Sequence, residues 1–418
     1  MKEDTALGAV FTPPWLVARM VAMAQPDQKS TVLEPGCAHA PFLQEFASQY
    51  GTHHELVGVE IDEERLSVAK QQLPQAHLIH TDFLLWDPTE RFDIIIGNPP
   101  YGIIGDKSHY PIQLVENKPI YKARSHTWRG KYNVYGLFVE HALQLLKPNG
   151  KLVFVIPATW MILDEFKLLR QYLSRYRVEV YYLGNVFPKR NVSVCILKVQ
   201  QGKGLTLYDE TQRPCPEGTG DLEPPLFRRN SGIEFPLWAG DLVRFITEEW
   251  QEFEGSGVPL GSLFEIQFAA RSTQIRSHPL TCLEPRNGRV PVLTGRNLKP
   301  GVIDYETCYS GMWFPRSDVR DLREVYGIPH IVVAHTKGTR VVAAVDWRCY
   351  PWREEFHLRH LRDIDLEMTV RYLNSGFVQN YIRCVYRDIV PHLTLEMLKR
   401  IPIHEVCLCS GPQLTLDM

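Results

Sequence analysis

The sequence of 418 residues has no long apolar segment, no paired-cysteine motif and no excess of basic charge. No run approaches the ~20 apolar residues that a membrane-spanning helix requires, so we predict no membrane association. The nine cysteines show no CxxC spacing, and no signal peptide is recognisable. Both features favour reduced thiols in the cytoplasm, and they predict neither disulfides nor a metal site. Internal repeats and low-complexity tracts are also lacking.

The formal net charge of -2 is unusual for a nucleic-acid-binding protein. The basic residues are not spread evenly, however. Between Phe268 and Gly301 there is one acidic residue, Glu284, and there are six basic ones: Arg271, Arg276, Arg286, Arg289, Arg296 and Lys299. A local basic patch is what contact with phosphates requires, whatever the total charge. A solvated basic face is the simpler explanation of the charge alone.

The order of apolar segments predicts two domains. Up to residue 200, short apolar runs at 32–34, 56–60, 77–80, 92–96, 152–156, 178–183 and 192–199 alternate with segments of helical periodicity. This alternation predicts an α/β domain with a doubly wound, Rossmann-like sheet, made mixed by a closing hairpin of the last two strands. Residues 202–236 are polar and rich in Pro and Gly, which is typical of a connector. We therefore predict a first domain at 1–242 and a second, α+β domain at 243–418.

The tetrapeptide Asn98-Pro99-Pro100-Tyr101 directly follows the strand 92–96. Two prolines cannot continue a strand, so a stiff loop is predicted at its carboxyl end, where open α/β sheets bind ligands. The Asn98 side-chain oxygen and the Pro99 carbonyl are then two acceptors beside the flat ring of Tyr101. This combination suits a conjugated amino group such as the exocyclic amine of a nucleobase. The alternative is a proline turn that only closes the strand.

Three earlier strands also end in residues suited to a nucleotide-like ligand. The first leads into Glu34-Pro35-Gly36-Cys37, where small residues allow a ligand to approach the backbone. The second ends at Glu60, whose carboxylate can accept from ribose hydroxyls. The third leads to Asp82 and Phe83, which can bind an adenine amino group and cover its ring. Taken singly, Glu34 is also explained as a helix-capping acid and Asp82 as a turn former.

Taken together, these motifs resemble the S-adenosylmethionine-dependent amino-methyltransferases. The segment Val10-Phe11-Thr12-Pro13 and several C-terminal segments extend the resemblance to the TaqI-type DNA adenine-N6 methyltransferases of the gamma class over nearly the whole chain. Those segments include 268–272, 292–301, 333–344, 350–357 and 390–395. The sequence departs from many relatives by having Ala38 and Ala40 where they carry glycine. Alanine in a left-handed conformation costs on the order of 1 kcal/mol, which bears on cofactor affinity.

The resemblance implies a set of roles. S-adenosylmethionine would be the cofactor, bound by Thr12, Glu34, Pro35, Gly36, Cys37, Glu60, Asp82, Phe83 and Pro100. Asn98 and Pro99 would hold the target amine of a flipped-out adenine, with Tyr101 and Phe187 packed against the base. Double-stranded DNA would be contacted by Arg271, Arg296, Lys299, Lys337 and Pro391. Without the resemblance, Thr12 is also explained as a helix N-cap and Phe187 as a core aromatic residue.

The implied activity is methylation of adenine in TCGA by a monomer that protects host DNA from a partner restriction endonuclease. Methylation of another nitrogen, such as cytosine N4 or a protein glutamine, is the alternative. Cytosine-N4 enzymes usually carry serine at the position of Asn98, and the glutamine enzymes lack a long basic C-terminal domain. Cytosine-5 methylation needs a cysteine nucleophile, and the only Pro-Cys is in the connector, at Cys215. A binding-only protein is disfavoured by the intact tetrapeptide.

Overall fold

The computed structural model describes residues 11–106, 111–112, 114–187, 192–211, 232–335 and 337–404. The chain forms two compact units, Met1–Arg244 and Phe245–Met418. Pro188 of the Phe187 motif, residues 212–231 of the predicted connector with Cys215, and Thr336 lie outside the described residues. No helix in the described ranges is long and apolar enough to span a bilayer.

The first unit alternates strands and helices. Its strands are β1 (Thr31–Pro35), β2 (Glu55–Glu60), β3 (His77–His80), β4 (Phe92–Gly97), β5 (Ile103–Ile104), β6 (Pro111–Ile112), β7 (Leu146–Pro157), β8 (Arg177–Gly184), β9 (Val194–Gln200), β10 (Leu205–Asp209) and β11 (Ile233–Phe235). Its helices are α1 (Pro14–Ala24), α2 (Pro41–Tyr50), α3 (Glu63–Gln72), α4 (Lys118–Arg124), α5 (Val134–Gln144) and α6 (Lys167–Leu173).

Nine of these strands form one mixed sheet in the order β11-β10-β8-β9-β7-β4-β1-β2-β3. Four neighbouring pairs in this sheet are parallel: β1 with β2, β1 with β4, β2 with β3, and β4 with β7. β9 is antiparallel to both of its neighbours, β7 and β8, which confirms the predicted mixed, doubly wound sheet and its hairpin. The carboxyl ends of β1, β2, β3 and β4 therefore meet at one edge.

The predicted connector differs from the structure. Its beginning forms β10, which is parallel to β8, and its end forms β11, which is antiparallel to β10. Only two side chains of β10, Leu205 and Leu207, are buried. The run is too short and too polar for the sequence pattern to mark it as a strand, and the sheet continues two strands further than expected.

The second unit combines short helices with small antiparallel sheets, which confirms the predicted α+β class. Its strands are β12 (Val258–Pro259), β13 (Phe264–Phe268), β14 (Arg289–Pro291), β15 (Leu298–Lys299), β16 (Val302–Ile303), β17 (Trp313–Pro315), β18 (His330–Val333), β19 (Ala343–Asp346), β20 (Phe356–His360) and β21 (Pro402–Ile403). Its helices are α7 (Glu248–Ser256), α8 (Leu260–Leu263), α9 (Ser272–Arg276), α10 (Val319–Leu322), α11 (Leu366–Leu373), α12 (Gly376–Tyr386) and α13 (Leu395–Lys399).

The largest sheet of this unit has the order β13-β20-β18-β19. Its register pairs Phe268 with Phe356, Phe356 with Val333, and Val333 with Ala343. These four residues form a row at one end of the sheet, which we call the loop end. The connection after β13, the β18–β19 loop and the segment before β20 all start or finish there.

Candidate functional site

A cleft of about 820 Å³, open mouth included, lies in the first unit at the carboxyl ends of the parallel strands. The end of β2 and the segments that follow β1, β2, β3 and β4 contribute to its lining, as do helices α4 and α5. The lining includes Gly36, Ala38, Glu60, Asp82, Phe83, Asn98, Pro100, Tyr121 and Phe138. The structure thus brings together most of the predicted cofactor residues. The backbone of the β1–α2 loop, two carboxylates and the tetrapeptide loop share one cavity.

Glu60 links the end of β2 to the β1–α2 loop. Its Oε2 accepts from the backbone N–H of Ala38 at 2.7 Å, and its Oε1 accepts from Ile61 and Asp62 at 2.9 and 3.0 Å. A carboxylate accepts about four hydrogen bonds, so room remains for a further donor. The residue therefore orders the loop and also presents an acceptor to the cleft.

Asp82 follows β3 and has two kinds of partner. Its Oδ1 accepts from the backbone N–H of Leu84 at 2.9 Å, which is the turn-forming interaction considered above. Its Oδ2 accepts from the hydroxyl of Tyr121, and the amide of Asn117 lies 3.5 Å from the same oxygen. Burial and this hydrogen bond raise the pKa of Tyr121, so the hydroxyl stays protonated and acts as a donor. Asp82 Oδ2 is the acceptor of this hydrogen bond.

An apolar slot lies beside these carboxylates. The Phe83 ring packs on Phe138, with ring centroids 4.9 Å apart, and on His141 at 4.8 Å. Phe11 lines the same cleft, and its ring stacks on His39 at a tilt of 24°. Such a slot suits a flat heterocycle. Asn117, Tyr121 and Phe138 were not predicted from the sequence. The available signal was helical spacing: Asn117 and Tyr121 are four residues apart at the start of α4, and Phe138 lies within α5.

Glu34 and Cys37 were predicted to bind the cofactor, but neither side chain lines the cleft. The Glu34 carboxylate is buried and accepts from the backbone N–H of Leu43 at 2.9 Å and of Phe42 at 3.5 Å. It caps α2, which is the alternative given above for this residue. The Cys37 thiol is also buried, beneath the loop, and burial raises its pKa far above the usual value. Through their side chains, both residues support the loop.

The β1–α2 loop has an unusual backbone. Gly36, Ala38 and Ala40 all have positive φ, at 63°, 48° and 58°. A Cβ added at Gly36 would lie 3.5 Å from the Phe138 ring and 3.8 Å from Pro100, so glycine leaves that part of the cleft open. Pro35 ends β1 just before this turn. The two alanines occupy the left-handed conformation that was anticipated for them.

Asn98 is oriented by a residue far away in sequence. Its Nδ2 donates to Thr12 Oγ1 at 3.0 Å. Thr12 is therefore not an N-cap: the cap position of α1 is Pro13, with no side-chain hydrogen bond. With Nδ2 directed at Thr12, Oδ1 is the end of the Asn98 amide that can accept from a ligand. Pro99 follows directly and is buried.

Two aromatic rings pack beside the tetrapeptide. Tyr101 is 4% exposed and Phe187 3% exposed, and their rings meet edge to face with centroids 6.4 Å apart. The Tyr101 hydroxyl donates to the Val155 carbonyl of β7 at 3.1 Å. Burial raises the pKa of Tyr101 well above its usual value, so this tyrosine is not a general base. Its ring orientation is fixed by β7.

The predicted DNA-contacting residues lie on loops of the second unit. Lys337, in the β18–β19 loop, donates through Nζ to the Leu298 carbonyl, between exposed Arg296 and Lys299. The same loop binds the segment of Pro391, because Leu393 N–H donates to the Gly338 carbonyl at 3.0 Å. These contacts bring four of the predicted residues onto neighbouring loops.

Arg271 lies on the connection after β13, at the loop end of the sheet. It is exposed and takes the N-cap position of α9. Nearby, Phe268 contacts His335 with ring centroids 5.2 Å apart, and His335 contacts exposed His392 at the same distance. A chain of rings thus connects the Arg271 segment to that of Pro391. The exposed arginines and lysine together with these rings form a basic and aromatic surface suited to a nucleic-acid backbone.

Known proteins match both units. Residues 53–186 match the family described as Eco57I restriction-modification methylase, and residues 290–403 match the TaqI-like C-terminal specificity domain. The chain is 52% identical to a type II methyltransferase of Thermus thermophilus over 402 residues, which is 95% of this chain and 91% of that protein. It is 25% identical to the type II methyltransferase M.HincII of Haemophilus influenzae, covering 49% of this chain and 39% of that one.

Among solved structures, the chain is similar to one titled as a DrdV–DNA complex determined by cryo-electron microscopy. The two share 14% identity and a TM-score of 0.54 over 85% of this chain and 49% of that one. At this identity the likeness concerns the fold.

Proposed function

This chain belongs to the type II DNA methyltransferases of restriction–modification systems that carry a TaqI-like specificity domain, and we propose that it methylates the exocyclic N6 of adenine in TCGA. Residues 1–242 would carry out the chemistry and residues 243–418 would recognise double-stranded DNA. The target sequence rests on the resemblance of the C-terminal segments to TaqI-type enzymes.

The observation that carries the proposal is the oriented amide of Asn98. Because Nδ2 is bonded to Thr12, Oδ1 is the side-chain atom that can accept from a substrate amine. The Pro99 carbonyl is the second acceptor, fixed by two consecutive prolines. Two acceptors suit the two hydrogens of an exocyclic –NH₂ group. A hydroxyl or a ring nitrogen could not satisfy both.

These acceptors address the weakness of an adenine amine as a nucleophile. Its lone pair is delocalised into the ring, and holding both hydrogens favours the pyramidal form in which the lone pair is localised. The stabilisation grows toward the transition state, which is the condition for faster turnover. No basic side chain is needed for this step, since the proton can leave after methyl transfer. Buried, protonated Tyr101 is consistent with that.

The cleft fits the expected cofactor. Glu60 and Asp82 provide carboxylate acceptors for ribose and amino hydrogens, and the Phe83 side provides an apolar slot for a heterocycle. Pro100 and Gly36 line the same cleft as Asn98, and Thr12 contacts the Asn98 amide. S-adenosylmethionine, when bound there, supplies a methyl group activated by a positively charged sulfur.

The target amine is inaccessible inside a duplex, so the adenine must be turned out of the helix. Tyr101 and Phe187 would hold the extruded base. The two rings already meet edge to face and little of either is exposed, so the entering base would have to displace the groups that cover the ring faces. In the second unit, Arg271, Arg296, Lys299 and Lys337 would contact phosphates, and Pro391 would fill space beside the orphaned thymine.

The test is methyl transfer from labelled cofactor to short duplexes that differ at one base pair. We expect a duplex containing TCGA to be methylated, a hemimethylated TCGA duplex to be a good substrate for the monomer, and a TCGT duplex to be a poor one. Digestion of the product should release N6-methyladenine. Release of N4-methylcytosine, or labelling of protein instead of DNA, would contradict the proposal. Equal methylation of TCGA and TCGT would leave the chemistry intact and reject only the recognition site.

A further inference from the structure

We propose that Arg340 and Arg383 form a clamp for one phosphate of the DNA backbone, at the loop end of the second unit. The proposal rests on the proposed function, since it assigns a further part of the DNA-binding surface. Both arginines line one depression of about 700 Å³, between the β18–β19 loop and helix α12. Neither residue is among the DNA-contacting residues predicted from the sequence.

The charge of the depression favours an anion. Both guanidinium groups belong to exposed residues, and neither forms an ion pair with a carboxylate in the described parts of the chain. None of the described residues lining the depression is acidic; Thr339 and Asn380 add neutral polar groups. Two unpaired arginines facing one concave surface repel each other unless an anion lies between them, and their planar donor groups match a phosphate.

The depression has rigid walls. Gln379 of α12 accepts from Val341 N–H at 3.0 Å through Oε1 and donates to the Val341 carbonyl at 2.8 Å through Nε2. Asn374 makes the same pair of bonds with Ala343, at 2.9 and 2.8 Å. Two side-chain amides thus tie the loop that carries Arg340 to the helical segment that carries Arg383. Little ordering would be needed when a phosphate binds.

Arg383 is also oriented on its own helix. Its guanidinium donates to Asn380 Oδ1 at 2.9 Å. The Asn380 oxygen is thereby engaged, and Nδ2 is the end of this amide that can donate to a ligand. Ser375 caps α12, whose first turn adds a partial positive charge to the same depression. Helix and side chains therefore favour the same kind of ligand.

The position of the depression identifies the anion as part of DNA. Arg340 follows Lys337 by three residues in the β18–β19 loop, and this loop is bonded to the segment of Pro391 at Gly338. The depression therefore continues the surface already assigned to DNA. DNA bound to that surface would place a backbone phosphate in the depression. Phosphate contacts of this kind fix the register of the protein on the duplex without reading the base sequence.

The experiment compares Arg340→Ala, Arg383→Ala and the control Arg362→Ala in the full-length protein. Arg362 is an exposed arginine just beyond His360, at the opposite end of the sheet. Binding of fluorescent TCGA and non-target duplexes is measured by anisotropy between about 50 and about 200 mM salt. We expect each clamp variant to weaken binding of both duplexes roughly threefold or more and to lower the salt slope by about 0.9. The ratio of target to non-target affinity should not change, and Arg362→Ala should behave as wild type.

A second measurement uses duplexes with a single neutral methylphosphonate at each backbone position in turn. At one position the substitution should weaken wild-type binding, weaken binding of either single variant less, and leave the double variant Arg340→Ala/Arg383→Ala unaffected, because both contacts to that phosphate are then already lost. Clamp variants that match Arg362→Ala would overturn the clamp, and so would a variant that changes base preference at one position. If wild-type protein binds no duplex DNA, the proposed function itself fails, and the two failures are thereby distinguished.

Discussion

The Asn98 side chain donates a 3.0 Å hydrogen bond to Thr12 Oγ1, across 86 positions of sequence. The contact joins the segment before α1 to the loop after β4. In the proposed mechanism this bond gives a threonine outside the sheet a role at its edge, because it holds the Asn98 nitrogen and leaves Oδ1 for the substrate amine. Orientation of the acceptor is therefore shared between two distant parts of the chain.

Asn98→Ala should reduce turnover by at least about 10²-fold, since one of two transition-state hydrogen bonds is lost. Cofactor affinity should be retained, because Glu60 and Asp82 are unchanged. Single-turnover methylation and cofactor titration measure the two effects separately. Thr12→Val should also slow the chemical step, and Thr12→Ser, which keeps the hydroxyl, should restore most of it. Wild-type turnover in Asn98→Ala would contradict the mechanism.

A duplex with 2-aminopurine at the target adenine should brighten when the protein binds, because the extruded base is no longer quenched by stacking. Tyr101→Ala and Phe187→Ala should hold the base less firmly, by ~1–3 kcal/mol for each ring. The matched control is Tyr101→Phe, which removes only the hydrogen bond to Val155 and should keep the signal. An unchanged signal with wild-type protein at saturating DNA would mean that the base stays stacked.

Ala38→Gly should raise the free energy of unfolding by up to about 1 kcal/mol, because φ is 48° there and glycine adopts it without strain. Ala40→Gly should gain less, since its methyl group is fully buried and is lost. Ala47→Gly, inside helix α2, serves as the control of opposite sign and should cost roughly 1 kcal/mol. Denaturant unfolding of the three variants measures all of these. A destabilised Ala38→Gly would show that the loop is not strained.

The sheet of the first unit was predictable because buried parallel strands read as continuous apolar runs. The run Ile94-Ile95-Ile96 is fully buried, and the predicted strand lies inside β4. β10 and β11 were missed because a short strand beyond the predicted edge carries few apolar residues. β7 starts at Leu146, six residues before the predicted strand 152–156. The early part was missed because Leu146 pairs with Phe92 of β4 ahead of an irregular stretch, Lys147 to Gly150, after which regular pairing resumes at Lys151.

Within the site, the sequence located the strand ends but not the direction of every side chain. Side chains alternate along a strand, so the Glu34 side chain points to α2. The turn that follows at Gly36 borders the cleft. Tyr121 could not be placed from sequence, because its contact with Asp82 depends on how α4 packs. The surface of the second unit depends on register: only the pairing of Phe268, Phe356 and Val333 brings its loops to one end.

Two buried histidines, His330 and His357, lie on the neighbouring strands β18 and β20. His330 Nδ1 lies 2.7 Å from the Ile328 carbonyl and Nε2 lies 2.8 Å from His357 Nδ1. The carbonyl requires a hydrogen on His330 Nδ1, so His357 must donate to His330 Nε2. Both rings are then neutral, and His357 Nε2 is buried with no hydrogen-bond partner among the described residues. Protonating His330 at Nε2 would place two N–H groups against each other, because His357 Nδ1 already carries a hydrogen.

Burial lowers the pKa of His330 and lowers that of His357 well below its usual value. The other charged groups that face the pair are Asp346, which raises the pKa of His330, and Arg323, which lowers that of His357. In the unfolded chain both histidines titrate near about 6.5. Below that pH the unfolded state binds more protons, so stability is fully present above about pH 6.5 and is lost as the pH falls.

The unfolding free energy of the second unit should therefore decrease toward acid pH, by up to about 1.4 kcal/mol per pH unit for each buried histidine. His357→Asn keeps a donor toward His330 and removes one titrating group. In this variant the unfolding free energy should therefore change less steeply with pH, by up to about 1.4 kcal/mol per pH unit. Amide hydrogen exchange of β18 and β20 is the measurement, because the two units need not unfold together. The control His77→Asn, at an exposed position on β3, should leave the slope unchanged. If His357→Asn has the wild-type slope, the pair is not the source of the acid sensitivity.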